Sequence, residues 1–153
     1  MPKKTIKEGD KKILESLPEE FKEDKYIEVG ARPWGVYYVL EDSPNYKVKK
    51  IVVNPGHRLS LQLHKHRSEH WIVVSGNASV VVRNCEDEAK WSFDLPPNES
   101  CFIPMNVKHR LANFGKIPLV IVEVQVGEYT GEDDIERFED DYSRASGRNL
   151  LSI

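Results

Sequence analysis

The sequence has few cysteines, no long apolar run and no excess of charge of one sign. Only Cys85 and Cys101 occur among its 153 residues, and their spacing is not C-x-x-C. Two isolated cysteines predict reduced thiols in a cytoplasmic protein, with Cys101 as a small core residue, rather than a disulfide framework or a redox pair. No apolar stretch approaches the ~20 residues that a membrane span needs, and no apolar segment follows the N-terminal Met-Pro-Lys-Lys as a secretory signal requires.

The overall composition is that expected of a soluble globular protein. Charged residues make up 31% and hydrophobic residues 39%, and the formal net charge is −3. A small negative charge gives no reason to expect binding to nucleic acid or to an anionic membrane. The length suits one domain with its own core and is too short for two domains of ordinary size.

Residues 1–25 are predicted to form a charged N-terminal arm. Ile13, Leu17 and Phe21 recur at helical spacing and form one apolar stripe. Pro18 interrupts this stripe, because proline within a helix removes a backbone hydrogen bond. We therefore expect one short helix followed by a loose arm.

Residues 26–130 are predicted to form an all-β sandwich or barrel. Short β-branched and aromatic runs alternate there with turns rich in Gly, Pro, Asn and Asp, which is typical of such folds. Alternation is imperfect across residues 46–53, where three lysines are mixed with aliphatic residues, so the register of that strand stays open. The predicted strands cover residues 34–40, 46–53, 58–66, 70–74, 78–83, 90–94, 100–103, 110–113 and 119–126.

Residues 131–153 are predicted to form a C-terminal helix and tail. Asp133 or Asp134 would cap a helix over residues 131–144. Ile135, Phe138 and Tyr142 would form its apolar stripe. Residues 148–153 are predicted to be disordered or ordered only by a partner.

Residues 56–76 carry the polar side chains that most need an explanation. Along a strand, successive side chains point to opposite faces, so three leucines would share one face with each other and leave the second face polar. The residues of that second face are Ser60, Gln62 and His64, with His66 next if the strand continues. Polar groups directed into a protein need partners, and a metal ion suits an imidazole, an amide oxygen and a carboxylate such as that of Glu69.

A second stretch, residues 98–113, supplies a further candidate ligand. Pro104 and Asn106 predict a turn, after which His109 begins the next strand. The two stretches together resemble the paired motifs of the cupin superfamily. Positions Gly56, Gln62, His64, Glu69 and Gly76 fit the first motif, and positions Asn98, Pro104, Asn106, His109 and Asn113 fit the second. Two asparagines replace motif glycines, a mild change because Asn tolerates positive φ better than most residues.

One departure from the cupin motif points to a particular family within the superfamily. Gln62 occupies the position at which the first histidine of the motif usually lies. A Gln-His-Glu-His set is similar to that of phosphomannose isomerases. Further segments resemble the type II mannose-6-phosphate isomerase domain, which in bacteria often forms the C-terminal part of a bifunctional enzyme with a mannose-1-phosphate guanylyltransferase. These segments are R-P-W-G from Arg32, L-S-L-Q-L-H-K-H-R-S-E-H-W from Leu59, H-R-L-A-N from His109, E-V-Q-V-G-E-Y from Glu123 and G-E-D-D-I from Gly131.

The resemblance implies a cupin jelly roll that interconverts mannose 6-phosphate and fructose 6-phosphate through a cis-enediol(ate). It implies one divalent transition metal per chain, held by Gln62, His64, Glu69 and His109. Zinc is the first expectation, although Mn, Fe, Co or Ni would accept the same ligands. The Gly-rich nucleotide-binding loop of the guanylyltransferase is missing from the sequence, so we expect no nucleotidyltransferase activity.

The proton carrier and the phosphate ligands are less well defined by the sequence. His66 is a candidate base because a histidine titrates near neutral pH, and Lys65, Lys108 and Glu123 are its rivals. Arginine suits a phosphate because of its planar fork of donors. The candidates are Arg32, Arg67, Arg110 and Arg137, and Arg110 is weakened because it follows the ligand His109 directly. Arg32, which starts R-P-W-G, and Arg137, which follows G-E-D-D-I, are preferred.

Two other readings stay open at this stage. The chain could be a non-catalytic cupin that binds a sugar phosphate or sugar nucleotide and associates with a separate guanylyltransferase. It could also be a cupin dioxygenase or another sugar isomerase or epimerase, since a fold alone does not determine the chemistry. For either isomerase or binding protein we expect a sugar-phosphate ligand and a homodimer, because a jelly roll leaves sheet edges to cover.

Overall fold

The computed structural model describes residues 8–83 and 90–142, and it is built almost entirely of β-strands. A helix, α1 (Glu8–Ser16), and a 3₁₀ turn (Glu19–Phe21) precede the strands. The strands in chain order are β1 (Glu28–Arg32), β2 (Gly35–Ser43), β3 (Tyr46–Val53), β4 (Leu61–Leu63), β5 (Arg67–Ser75), β6 (Ala78–Arg83), β7 (Lys90–Leu95), β8 (Ser100–Ile103), β9 (Lys108–Ala112), β10 (Leu119–Gly127) and β11 (Glu136–Glu139).

The strands form two antiparallel sheets that face each other. The first sheet has the order β1-β2-β3-β10-β5-β8, and the second has the order β11-β4-β9-β6-β7. Side chains alternate between the two faces of each strand, so the inward-facing residues of both sheets meet in one core. The buried members of this core include Trp34, Val39, Val53, Trp71, Val80, Ile103, Leu111 and Ile121. The predicted all-β double-sheet architecture is confirmed.

The N-terminal arm packs on the outside of the first sheet rather than lying loose. Leu17 is buried, and Leu14 and Phe21 pack with it against the outward-facing side chains of Val36 and Tyr38. The predicted stripe is therefore shifted by one position, since Ile13 is 37% exposed. Burial of these apolar side chains away from water favours docking of the arm on the sheet.

The predicted C-terminal helix is wrong for the part of that segment that the structure describes. The backbone turns at Asp134, whose N–H donates to the carbonyl of Gly131 over 3.1 Å. It then forms β11, in which Arg137 lies opposite Gln62 of β4. Pairing with the open edge of β4 satisfies backbone groups of both strands, and this outweighs a weak helical pattern.

The predictions for Cys85 and for the tail 148–153 concern residues outside the described ranges. Cys101 packs against the core, as expected of a small core residue. Neither of the two described helices is long and apolar enough to cross a membrane.

Candidate metal centre

Three buried side chains from separate segments of the chain meet in one cluster. His64 follows β4 directly, Glu69 lies in β5 and His109 lies in β9. One ligand atom from each lies within 4.8 Å of the others. The Nε2 atom of His64 is 3.0 Å from Oε1 of Glu69, and the Nε2 atom of His109 is 3.8 Å from Oε2. The structure therefore brings together three of the four metal ligands that the sequence analysis named.

Gln62, the fourth named ligand, lines a pocket together with Glu69 and His109. It lies opposite His109 in the pairing of β4 with β9. Its amide nitrogen donates to the backbone oxygen and to the hydroxyl of Ser60, each over 3.3 Å. These contacts use the donor end of the amide, whereas a metal would be bound by its oxygen end.

Both imidazoles are held with Nε2 facing the carboxylate. Nδ1–H of His64 donates to the backbone carbonyl of Asp134 over 2.6 Å, and Nδ1–H of His109 donates to the carbonyl of Val107 over 2.9 Å. A carbonyl only accepts, so the proton must be on Nδ1 and the lone pair on Nε2. Metal-binding histidines are oriented in this way by their second nitrogen.

Burial lowers the pKa of His109 to about 4, so its imidazole is neutral at physiological pH. Burial alone would raise the pKa of Glu69. The hydrogen bond and charge of His64, together with the charges of His109 and Arg67, outweigh this effect and hold that pKa well below its ordinary value. Two imidazole nitrogens and one carboxylate are a donor set that fits a divalent transition metal.

Arg67 is part of this cluster rather than a free arm for phosphate. Its Nε and Nη2 atoms donate to Oε1 of Glu69 over 3.2 and 3.1 Å. Its Nη1 atom donates to the carbonyl of Gly131 over 3.3 Å. The guanidinium thus compensates the charge of the buried carboxylate, which would be costly to bury alone.

Glu123 of β10 places a second carboxyl group beside the three ligands. Its Oε2 accepts the indole N–H of Trp71 over 3.0 Å, and the same N–H donates to Oε2 of Glu69 over 2.9 Å. Its Oε1 accepts from Nε2 of Gln125 over 2.6 Å. Burial, and then the negative charge of Glu69, raises the pKa of Glu123 to about 7. The inward direction considered for Glu123 and Gln125 is confirmed, since both are buried.

One part of the remaining pocket lining is cationic, and we call it the cationic wall. Arg32, Lys49 and Arg137 line it together with the aromatic ring of Tyr37. The ammonium group of Lys49 lies 4.2 Å from the centre of that ring and forms an ion pair with Glu132. Nη2 of Arg32 donates to the hydroxyl of Tyr37 over 3.2 Å.

His66 does not lie in this pocket, so its expected place beside the metal ligands is wrong. Its side chain is 50% exposed and its Nδ1 atom is 3.5 Å from a carboxylate oxygen of Glu128. The cause is local, because β4 ends at Leu63 and the alternation of a strand does not continue through residues 64–66.

Two of the rival bases, Lys65 and Lys108, and one phosphate candidate, Arg110, also lie outside this pocket. Lys108 places its ammonium group 4.3 Å from the ring centre of Phe138, and Lys65 is exposed. Arg110 contacts the carbonyl of Leu59 and the carboxylate of Glu139, outside the pocket, as its position after His109 predicted.

Two charged pocket residues, Lys49 and Glu132, were not predicted from the sequence. A signal for Lys49 was available: in β3, Lys47, Lys49, Ile51 and Val53 share one face, and the last two are clear core residues. Nothing in the local sequence separates Glu132 from its acidic neighbours.

Comparisons with known proteins point to one family. Residues 19–140 match the family model described as "Mannose-6-phosphate isomerase C-terminal". The alginate biosynthesis protein AlgA of Pseudomonas aeruginosa is 56% identical over 115 residues, which is 75% of this chain and 23% of that protein. The mannose-1-phosphate guanylyltransferase ManC of Salmonella typhimurium is 43% identical over 135 residues, which is 88% of this chain and 27% of that protein. This chain thus spans about a quarter of the length of these relatives.

Solved structures with a similar fold are more distant in sequence. Oxalate decarboxylase from Bacillus subtilis superposes with a TM-score of 0.65 at 17% identity, over 75% of this chain and 30% of that chain. The capsular polysaccharide assembling protein CapF from Staphylococcus aureus gives a TM-score of 0.63 at 19% identity, over 72% of this chain and 33% of that chain. At such identity the likeness concerns the fold alone, and it confirms the expected cupin jelly roll.

Proposed function

The chain belongs to the mannose-6-phosphate isomerase C-terminal family, and on that premise we propose that it is a metal-dependent aldose–ketose isomerase. Its substrates would be mannose 6-phosphate and fructose 6-phosphate. The observation that carries the proposal is the meeting of His64, Glu69 and His109 in one cluster, to which Trp71 links Glu123, a carboxyl group whose pKa is raised to about 7.

His64, Glu69, His109 and Gln62 would hold the metal, which supplies a Lewis acid next to the carbonyl and hydroxyl oxygens of the sugar. The two imidazoles present Nε2 because backbone carbonyls hold Nδ1–H. Zinc is our first expectation, and Mn, Fe, Co or Ni also suit this donor set.

Glu123 is the residue that we assign to proton transfer. As the carboxylate it would take the proton from C2 of mannose 6-phosphate, giving the cis-enediol(ate), and as the acid it would return that proton to C1. A base with a pKa near the working pH is the most efficient for both steps. Trp71 and Gln125 hold its two oxygens in place.

The cationic wall would receive the phosphate. Arg32 and Arg137 keep the role proposed from the sequence, and the structure adds Lys49 as a third candidate in the same pocket. Arginine offers a planar fork and lysine a compact charge, and both are common ligands of phosphate.

A non-catalytic reading has one observation in its favour. The relative ManC is named a mannose-1-phosphate guanylyltransferase, and this chain matches only 27% of its length. A cupin that binds a sugar phosphate or sugar nucleotide beside a separate guanylyltransferase is therefore the second candidate. The cytoplasmic location stays a prediction under both readings.

Metal analysis combined with a coupled isomerase assay tests the first proposal. We expect about one transition metal per chain and turnover of mannose 6-phosphate that is lost on chelation and restored by the metal. His109→Ala should lose metal and turnover together, whereas His70→Ala, at an exposed position outside the pocket, should keep both. Bound metal and bound sugar phosphate without turnover would support the non-catalytic reading.

Glu123→Gln tests the proton carrier separately. We expect kcat to fall by about 100-fold or more, the usual contribution of a general base, while the metal content stays that of the wild type. Glu128→Gln is the matched control, because Glu128 is an exposed carboxylate beside His66. A Glu123→Gln protein with normal kcat would show that another group moves the proton.

A further inference from the structure

His64 is held by a segment far away in the sequence. Its Nδ1–H donates to the backbone carbonyl of Asp134 over 2.6 Å, across a sequence separation of 70 residues. His109 differs, because the carbonyl that orients it belongs to Val107, two residues away in the same chain segment. The orientation of His64 therefore depends on where residue 134 lies.

The side chain of Asp134 fixes that place. Its Oδ1 accepts the backbone N–H of Lys65 over 3.0 Å, and its Oδ2 accepts the backbone N–H of His66 over 3.0 Å. β4 ends at Leu63, so these two N–H groups have no partner in a strand ladder. Buried or half-buried backbone donors need an acceptor, and one carboxylate serves both.

The result is a closed arrangement of three hydrogen bonds. The carboxylate of Asp134 holds the backbone just after His64, while the carbonyl of the same residue holds the His64 ring. Asp134 is buried, unlike its neighbour Asp133, which is exposed and whose carboxylate contacts the hydroxyl of Tyr129. Asp134 thereby fixes both the ring of His64 and the backbone that follows it.

We infer that Asp134 is a positioning residue that sets the tautomer and orientation of His64 for metal binding. This inference rests on the proposed function, because it assigns His64 the role of a metal ligand. Outer partners of ligating histidines commonly change metal affinity by about 10- to 100-fold when they are altered, and an effect of that size is expected here.

The test compares the metal affinity of the wild type with that of Asp134→Asn, Asp134→Ala and the control Asp133→Asn. Zinc Kd values from competition with a chromogenic chelator should rise about tenfold or more for both Asp134 variants. Asp133→Asn should keep the wild-type Kd. Asp134→Asn retains the size of the side chain but replaces one acceptor oxygen by a donor, which cannot receive the second N–H. Unchanged zinc affinity in both Asp134 variants would overturn the inference.

A measurement on the wild-type protein covers the case in which the variants do not fold. Nitrogen-15 spectra of the zinc-free protein should show His64 protonated on Nδ1, with slow exchange of the Lys65 and His66 amide protons. Protonation on Nε2 instead, or fast exchange of both amides, would overturn the inference. Wild-type protein that binds no metal would overturn the proposed function and the predicted affinity change, while the spectra would still report whether Asp134 orients His64.

Discussion

At the scale of single residues, the pocket holds two buried carboxyl groups with opposite pKa shifts. Glu69 faces two imidazoles and Arg67, and these partners hold its pKa well below the ordinary value despite burial. For Glu123, burial together with the charge of Glu69 outweighs the opposing charges of Lys49 and Arg67 and raises the pKa to about 7. Different environments of this kind separate the roles of paired carboxyl groups in enzymes. The ionised Glu69 suits a metal, and Glu123 suits proton transfer.

The raised pKa of Glu123 predicts a pH dependence of stability. A carboxyl group whose pKa is higher in the folded state binds more protons there than in the unfolded state. Its contribution to the free energy of unfolding is therefore fully present below pH 4.5, the ordinary pKa, and is lost as the pH rises through about 7. Glu123→Gln removes this titration. In metal-free protein, we expect the Tm of the variant minus that of the wild type to increase between pH 5 and pH 8, as measured by calorimetry.

The wild type serves as its own reference at each pH, so titration of other groups cancels to first order in this comparison. This matters for His109, because its lowered pKa makes its contribution to the stability increase with pH, opposite in sign to that of Glu123. Glu128→Gln should show a Tm difference that does not change with pH. A constant difference for Glu123→Gln would mean that Glu123 titrates near its ordinary pKa.

The candidate ligand residues could be named from the sequence because their signal is local spacing combined with a family resemblance. Gln62, Glu69 and His109 line the pocket, and His64 lies in one cluster with Glu69 and His109. His66 was misplaced because period-two alternation was extended beyond the end of β4. Lys49 was missed because a lysine at a core-facing position of β3 suggests that the strand faces have been assigned wrongly. Its ion pair with Glu132, which explains its burial, is not visible in the sequence. Contacts between distant segments are absent from any local pattern.

At the scale of the elements, the strands with strong patterns were predicted well and the others were not. The bounds of β3, β6 and β8 agree with the prediction residue for residue. β1 was missed, because its short sequence E-V-G-A-R has little apolar content. β11 was assigned to a helix because three apolar residues happened to fit helical spacing, whereas the available edge of β4 decided the outcome. Short segments are the ones in which tertiary pairing overrides local propensity.

The helix α1 and the turn after it give a prediction at this scale. Leu17 is 7% exposed and belongs to the cluster on the outside of the first sheet, whereas Ile13 is 37% exposed. Leu17→Ala should lower the free energy of unfolding by about 2 kcal/mol or more, as is typical when a buried leucine is truncated. Ile13→Ala should change it by roughly 0.5 kcal/mol or less. Urea denaturation measures both, and equal effects would argue against docking of the arm through Leu17.

At the scale of the whole molecule, the arm covers only part of the outer face of the first sheet. It packs against β2, β3 and β10 through Val36, Tyr38, Val52 and Val120. The outer face of β5 and of the edge strand β8 is uncovered among the described residues. Three apolar side chains on this face are about half exposed: Ile72 (43%), Val74 (54%) and Phe102 (53%). Phe102 of β8 lies opposite His70 of β5. An apolar face at the edge of a sheet is a common site of association.

The homodimer expected from the sequence is therefore proposed to form through this face of β5 and β8. Light scattering should give a mass twice that of the 17.6 kDa chain. Phe102→Asp would place a charge in the interface, so we expect it to yield a monomer with unchanged metal content. Phe114→Asp is the control, because Phe114 is 71% exposed in the turn after β9 and lies on neither strand. A wild-type protein with the mass of one chain would refute the proposal. If both variants remain dimers, the interface must lie elsewhere on the molecule. An aspartate without a partner is costly to bury, so Phe102→Asp would disrupt an interface formed by this face.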